Sequence, residues 1–138
     1  MKLHIPASQY TPEVGADLDK CIIFLKGACF PENSSVFFQP LRSFVRQNSE
    51  LLRDEMEVHI ELSYINSSAQ RELYELLWAL IERVPQMQIV IYLGEEEEMD
   101  DLKYIVDALR EAGFERIEYR HDYYSGLIVA EESPPSER

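Results

Sequence analysis

Apolar and polar residues alternate along EMEVHIELSYI, residues 55–65, with Met56, Val58, Ile60, Leu62 and Tyr64 on one side and Glu57, His59, Glu61 and Ser63 on the other. Successive side chains of an extended chain point to opposite faces, so the pattern predicts a strand with one face on a core and much of the other in water. A strand covered on both faces reads instead as an unbroken apolar run. QMQIVIYL, 86–93, comes close to that and predicts a central strand, whereas FERIEYR, 114–120, alternates again. CIIFLKG, 21–27, predicts a further strand, paired in a hairpin with the N-terminal LHIPASQYTPEV.

Three segments between these strands change to helical spacing. SVFFQPLRSFVRQ, 35–47, carries Phe37, Leu41, Phe44 and Val45 on one face, with Pro40 expected to kink the helix or delay its start. From about Ser68 to Arg83, residues Leu73, Leu76, Leu77, Leu80, Ile81 and Val84 form a core stripe. Leu102, Ile105, Val106, Leu109 and Ala112 repeat at helical spacing, and Gly113 stands where a C-terminal cap is wanted. The order is a β-hairpin, then α, β, α, β, α, β. It predicts an α/β fold whose mixed sheet has four to five strands and helices mainly on one face. LIVAEE near 127 adds a candidate edge strand. Residues 1–130 are expected to form a single domain and 131–138 a polar, flexible tail.

The junction inside HIELSYINSSAQRELYELL, 59–77, raises a chemical question, because two bare hydroxyls follow Asn66 just where strand gives way to helix. Ser67 with Gln70 fits an S-x-x-Q capping box, in which the hydroxyl accepts from one unpaired N–H and the amide reaches back to another. A helix N-terminus also tolerates a phosphate dianion. At 100° per residue, Ser67, Arg71, Tyr74 and Trp78 fall in one narrow stripe at the edge of the core face. Trp, Tyr and Arg are the residue types enriched in binding hot spots. Two readings follow: Tyr74 and Trp78 cover the margin of the sheet, or the stripe docks a partner and is disabled when a dianion appears at its N-terminal end. Ser68 and Asn66 would support that switch loop.

Composition narrows the partners. The 138 residues include 26 acidic and 13 basic side chains, a formal net charge of −13 that repels nucleic-acid backbones and anionic lipid. No apolar run approaches the ~20 residues of a membrane span, and MKLHIPASQY lacks the pattern of a secretion signal, so a cytoplasmic, bacterial protein is expected. Cys21 and Cys29, eight apart, read as reduced, buried thiols. His4, His59 and His121 have no metal-ligand spacing, and EEEEMDD, 95–101, lacks the alternating ligands and turn glycine of a calcium loop. Acidic residues ahead of a helix are stabilised by its positive end. With no phosphate-binding glycine loop and no nucleophile elbow, no cofactor, metal site or catalytic residue is assigned.

LHIPASQYTPEV, GACFPEN at 27–33, FFQPLRSFV and LSYINSSAQRELYELL together resemble the SiaC-type regulatory phosphoproteins of bacteria, over about residues 2–120. The resemblance rests on a Thr-Pro, a Gly-x-x-Phe/Tyr-Pro-Glu-Asn and a strand-Asn-Ser/Thr-Ser-helix element in the same order. It implies a fold akin to the sulfate-transporter and anti-sigma-antagonist (STAS) domains, and a protein switched by a serine/threonine kinase and a PP2C-type phosphatase. It further implies that the unmodified form binds and activates a diguanylate cyclase, raising cyclic di-GMP and promoting biofilm, and that the modified hydroxyl is Ser67. This chain has serine at 67 where the family's best-known member has threonine, Cys29 where small polar residues are common, and a segment after 120 without counterpart. Two other readings stay open: a non-switching interaction module of the same fold, and a metal-dependent enzyme using the 95–101 segment through residues such as Glu97 and Asp100.

Overall fold

A computed structural model describes residues 1–95 and 100–125. The strands are β1 (Lys2–Ile5), β2 (Glu13–Asp17), β3 (Ile22–Cys29), β4 (Glu57–Ile65), β5 (Gln88–Tyr92) and β6 (Ile117–Arg120), and the helices are α1 (Ser34–Gln47), α2 (Ser67–Arg83) and α3 (Asp100–Glu111). All six strands form one sheet in the order β1-β2-β3-β4-β5-β6. The first three pair antiparallel, and β3 through β6 run parallel with one helix in each crossover. Right-handed crossovers that always step in the same direction place their helices on the same face. Hence α1, α2 and α3 cover one side of the sheet.

The sheet is therefore mixed α/β as expected, but with six strands among the described residues rather than four or five. The extra strand arises because LHIPASQYTPEV is itself divided. Pro6 and Pro12 lack the N–H a ladder needs, and the segment between β1 and β2 loops so that Ile5 pairs with Val14 and Lys2 with Asp17. At Gly15 the ring of Phe24 packs where a side chain would stand, with Phe24 Cε2 nearest to that position.

The main core lies between sheet and helices: Ile23 and Leu25 of β3, Val58, Ile60 and Leu62 of β4, and Ile89 and Ile91 of β5 meet Phe38 and Leu41 of α1, Leu73, Leu77 and Leu80 of α2 and Ile105 and Leu109 of α3. Helix α1 runs through Pro40 from an undelayed start at Ser34, because Asn33 caps it by accepting from the Val36 N–H at 3.1 Å. Gly113, at φ +101°, closes α3 as expected, with its N–H bonded to the Arg110 carbonyl at 2.9 Å.

Two expectations for β4 are corrected. Tyr64 does not continue the buried row: Gly27 pairs with Leu62 and Ala28 with Tyr64, so Ser63 is an extra residue in the ladder. Such a bulge reverses the alternation, leaving Tyr64 47% exposed and Ile65 buried. His59 was expected to face water, yet it is buried, because the second face of the sheet is covered where residues 121–125 cross it. There Tyr124 stacks on His59 at 4.8 Å and packs on Phe24 and Tyr92. The Tyr124 N–H donates to Glu61 Oε1 at 2.7 Å, and its carbonyl accepts from Lys26 Nζ at 2.7 Å. The candidate edge strand near 127 lies outside the described residues.

Candidate functional site

Parallel strands deliver their following helices at one end of the sheet, so the N-termini of α1 and α2 meet beyond the ends of β3 and β4. The two starts are built alike, each with an asparagine cap: Asn33 for α1 and Asn66 for α2. Asn66, with extended φ −80° and ψ 170°, accepts from the Ala69 N–H at 3.0 Å and donates from Nδ2 to the Pro31 carbonyl at 3.3 Å. Its own N–H donates to the Cys29 carbonyl at 3.0 Å. Gln70 Nε2 donates to the Ile65 carbonyl at 3.2 Å.

The capping assignment thus moves by one residue. Ser67 was expected to supply the capping oxygen, but it is the first residue inside the helix. The amide of Asn66 takes the role, since its side chain reaches the N–H three residues on. Ser67 is exposed, and its hydroxyl makes no hydrogen bond to any described residue. Ser68 is engaged: its Oγ lies 2.7 Å from Ser34 Oγ, tying the first turns of α1 and α2 together, and 3.4 Å from Asn66 Oδ1. The Ser67 and Ser68 N–H groups have no hydrogen-bond partner among the described residues, and both belong to the first turn of α2, at that helix's positive end.

Along α2 the structure brings Ser67, Gln70, Arg71, Tyr74 and Glu75 together with Tyr104 of α3 around a groove of about 500 Å³. Arg71 is 83% exposed and weakly held, with Nε 3.5 Å from Glu75 Oε2. Tyr74 and Trp78 are half-buried against the main core. Trp78 follows Tyr74 on the same stripe by one turn but does not line the groove. Tyr104, which sequence reasoning missed, is 65% exposed. The sign for it was present: an aromatic residue off the Leu102, Ile105, Val106 and Leu109 stripe of α3.

Chemically, the groove offers one bare alcohol, one cation lining it among the described residues, two phenols and a carboxylate. Among the described residues lining it, none is a base placed to activate a nucleophile. Among the described residues no three His, Cys, Asp or Glu side chains come together as metal ligands. Of the acidic run, Asp100 and Asp101 form the first turn of α3, and residues 96–99, including Glu97, lie outside the described residues. Cys29 is buried, its thiol pushed up to about 12 by desolvation, and both cysteines are free. Among the described residues no helix is long and apolar enough to cross a membrane.

The solved structure of SiaC of Pseudomonas aeruginosa is 21% identical, with a TM-score of 0.70 over 87% of this chain and 96% of that one. A chain of the crystal structure of the diguanylate cyclase SiaD in complex with its activator SiaC, also from P. aeruginosa, is 21% identical, with a TM-score of 0.67 over 86% of this chain and 98% of that one. At such identities the likeness shows a common fold. An uncharacterized protein of P. aeruginosa strain UCBPP-PA14 is 29% identical over 80 residues, 58% of this chain and 64% of its own length, so the match spans less than two thirds of that relative. The pattern of the SiaC family regulatory phosphoproteins matches residues 5–119, most of the chain. The chain, from its β2–β3 hairpin through the Asn66–Ser67 corner to β6, belongs to the SiaC family of regulatory phosphoproteins.

Proposed function

We propose that this protein is a phosphorylation-switched activator, which docks an effector in its unmodified form and releases it when Ser67 is phosphorylated. The observation that carries the reading is the state of the Ser67 hydroxyl: exposed, unbonded to any described residue, excused from capping by Asn66, and at the head of the groove formed with Arg71, Tyr74 and Tyr104. A serine/threonine kinase can reach that oxygen without unfolding the helix. A PP2C-type phosphatase would restore it.

The consequence of modification follows from charge. Phosphate adds about −1.5 to −2 charges. The helix end tolerates it, since Ser67 opens α2 at that helix's positive end, and Arg71 one turn along can swing from Glu75 to pair with it. The fold of this protein therefore stays as it is. A partner that covers Ser67, Tyr74, Tyr104 and the neighbouring Trp78 would have to desolvate that dianion, which costs about 2 kcal/mol or more and weakens binding at least ~30-fold.

The effector class is inferred from the family and from the relative SiaC, which is the activator of the diguanylate cyclase SiaD. By that likeness the partner here is a diguanylate cyclase and the output cyclic di-GMP and biofilm formation. The test is recovery of tagged protein from its own cells, with phosphopeptide mapping of 59–83 and identification of co-purifying proteins. Ser67→Ala should retain a cyclase and Ser67→Asp should lose it. Equal retention by both variants would leave Ser67 as surface only and favour a non-switching interaction module.

A further inference from the structure

On the opposite flank of α2, the second half of α1 and the turn that follows it line a second groove of about 290 Å³ with α2. Its floor is apolar, made of Val45, Leu52, Leu76 and the exposed Ala79. Its rim carries Arg42, Arg46 and Arg83 against one carboxylate, Glu75. On a chain with a net charge of −13, three guanidinium groups around one apolar cleft invert the local sign.

The three are not equally committed. Arg42 is held by Glu72, with Nη2 bonded to the Ser35 carbonyl at 3.0 Å and Gln39 Oε1 at 2.9 Å. Arg83 Nε donates to the Ser49 carbonyl at 3.1 Å, a bond that fixes the side chain without neutralising it. Arg46 is exposed and has no partner among the described residues. Arg46 and Arg83, neither in an ion pair among the described residues, thus stand over an apolar floor set between two helices, a form that accepts a third helix laid by its apolar face.

We infer that this groove docks an acidic amphipathic helix of a partner protein, with apolar side chains on Val45, Leu52, Leu76 and Ala79 and carboxylates meeting Arg46 and Arg83. Three cations on so acidic a chain do not make a nucleic-acid surface, because a phosphate backbone would meet net repulsion. The site does not include Ser67, and of the residues lining the Ser67 groove it shares Glu75 alone.

The test is fluorescence anisotropy with a labelled helical peptide of about 18 residues, or five turns, bearing leucines on one face and glutamates on the other, beside a version with lysines for the glutamates. The glutamate peptide should bind and the lysine peptide should not. Arg46→Glu and Ala79→Glu should each weaken binding ~5- to 20-fold, and raising salt from ~50 to ~500 mM should weaken it ~3- to 10-fold. Both substitutions are at exposed positions, so circular dichroism should show the fold retained, and Ser67→Asp should leave the affinity within ~2-fold because that site is elsewhere. Equal binding of both peptides, indifference to Arg46→Glu, or no binding at ~1 mM, where affinity is ~4 kcal/mol, would overturn the inference. So would self-association of the protein that Ala79→Glu abolishes, since the occupant would then be a second copy of this chain.

Discussion

Replacing Asn66 with alanine should cost far more stability than replacing Ser67, although both flank the start of α2. Asn66→Ala removes the acceptor of the Ala69 N–H at 3.0 Å and the donor to the Pro31 carbonyl at 3.3 Å, the second of which ties the β3–α1 loop to the helix. Loss of a cap costs about 0.5–2 kcal/mol, and loss of a part-buried hydrogen bond about 0.5–1.5 kcal/mol. The expected destabilisation is therefore about 1–3 kcal/mol, and at about 3–5 °C per kcal/mol for a chain of this size the thermal midpoint should fall by several degrees. Ser67→Ala breaks no bond to a described residue and should stay within about 0.5 kcal/mol of the parent. Urea unfolding followed by circular dichroism, with slopes checked for equality, measures both. A Ser67→Ala loss as large as that of Asn66→Ala would show the serine to be the cap, and the case for a hydroxyl kept free of structural duty would fail.

Other consequences of the fold can be checked alongside. Tyr124→Ala strips the cover from His59, Phe24 and Tyr92 and should cost about 2–4 kcal/mol, whereas Tyr124→Phe removes a buried hydroxyl that has no hydrogen-bond partner among the described residues and should be neutral or stabilising; a large loss in the phenylalanine variant would contradict the packing. Burial, opposed by Glu57, holds the His59 imidazole below its ordinary value. The unfolded chain therefore takes up a proton first as pH falls below about 6.5, and this histidine's contribution lowers stability from there down to its folded value. Urea midpoints at about pH 7.5, 6.5 and 5.5 should show a shallower acid loss in His59→Gln than in the parent; identical slopes would rule this out. Gly15→Ala drives a methyl into the Phe24 ring and should cost about 1–3 kcal/mol, part of it recovered with Phe24→Leu; no effect of the single substitution would contradict the β2–β3 contact.

Where periodicity dominates, the chain was readable. The three helices, the strands at 57–65, 88–92 and 117–120, and the Gly113 stop follow from spacing and turn chemistry. The Ser63 bulge was not readable, because alternation in one strand says nothing of the register of its neighbour, and it turned Tyr64 outward. The cap was misplaced by one position because Asn66 and Ser67 both favour N-caps, and only backbone geometry decides which oxygen reaches the Ala69 N–H. Tyr104 joined the Ser67 groove through the packing of α3 on α2, a contact between separate elements that no local pattern encodes. Tyr124 was missed for the same reason: its partners His59 and Glu61 lie some sixty residues back in the chain.

The switch itself is tested most directly by preparing the protein with phosphate on Ser67 in full stoichiometry and titrating both forms against the effector recovered from its cells. Calorimetry should show the unmodified form binding and the phosphorylated form at least ~30-fold weaker, with superimposable circular dichroism spectra for the two. Equal affinities, or a phosphorylated form that binds more tightly, would contradict the account.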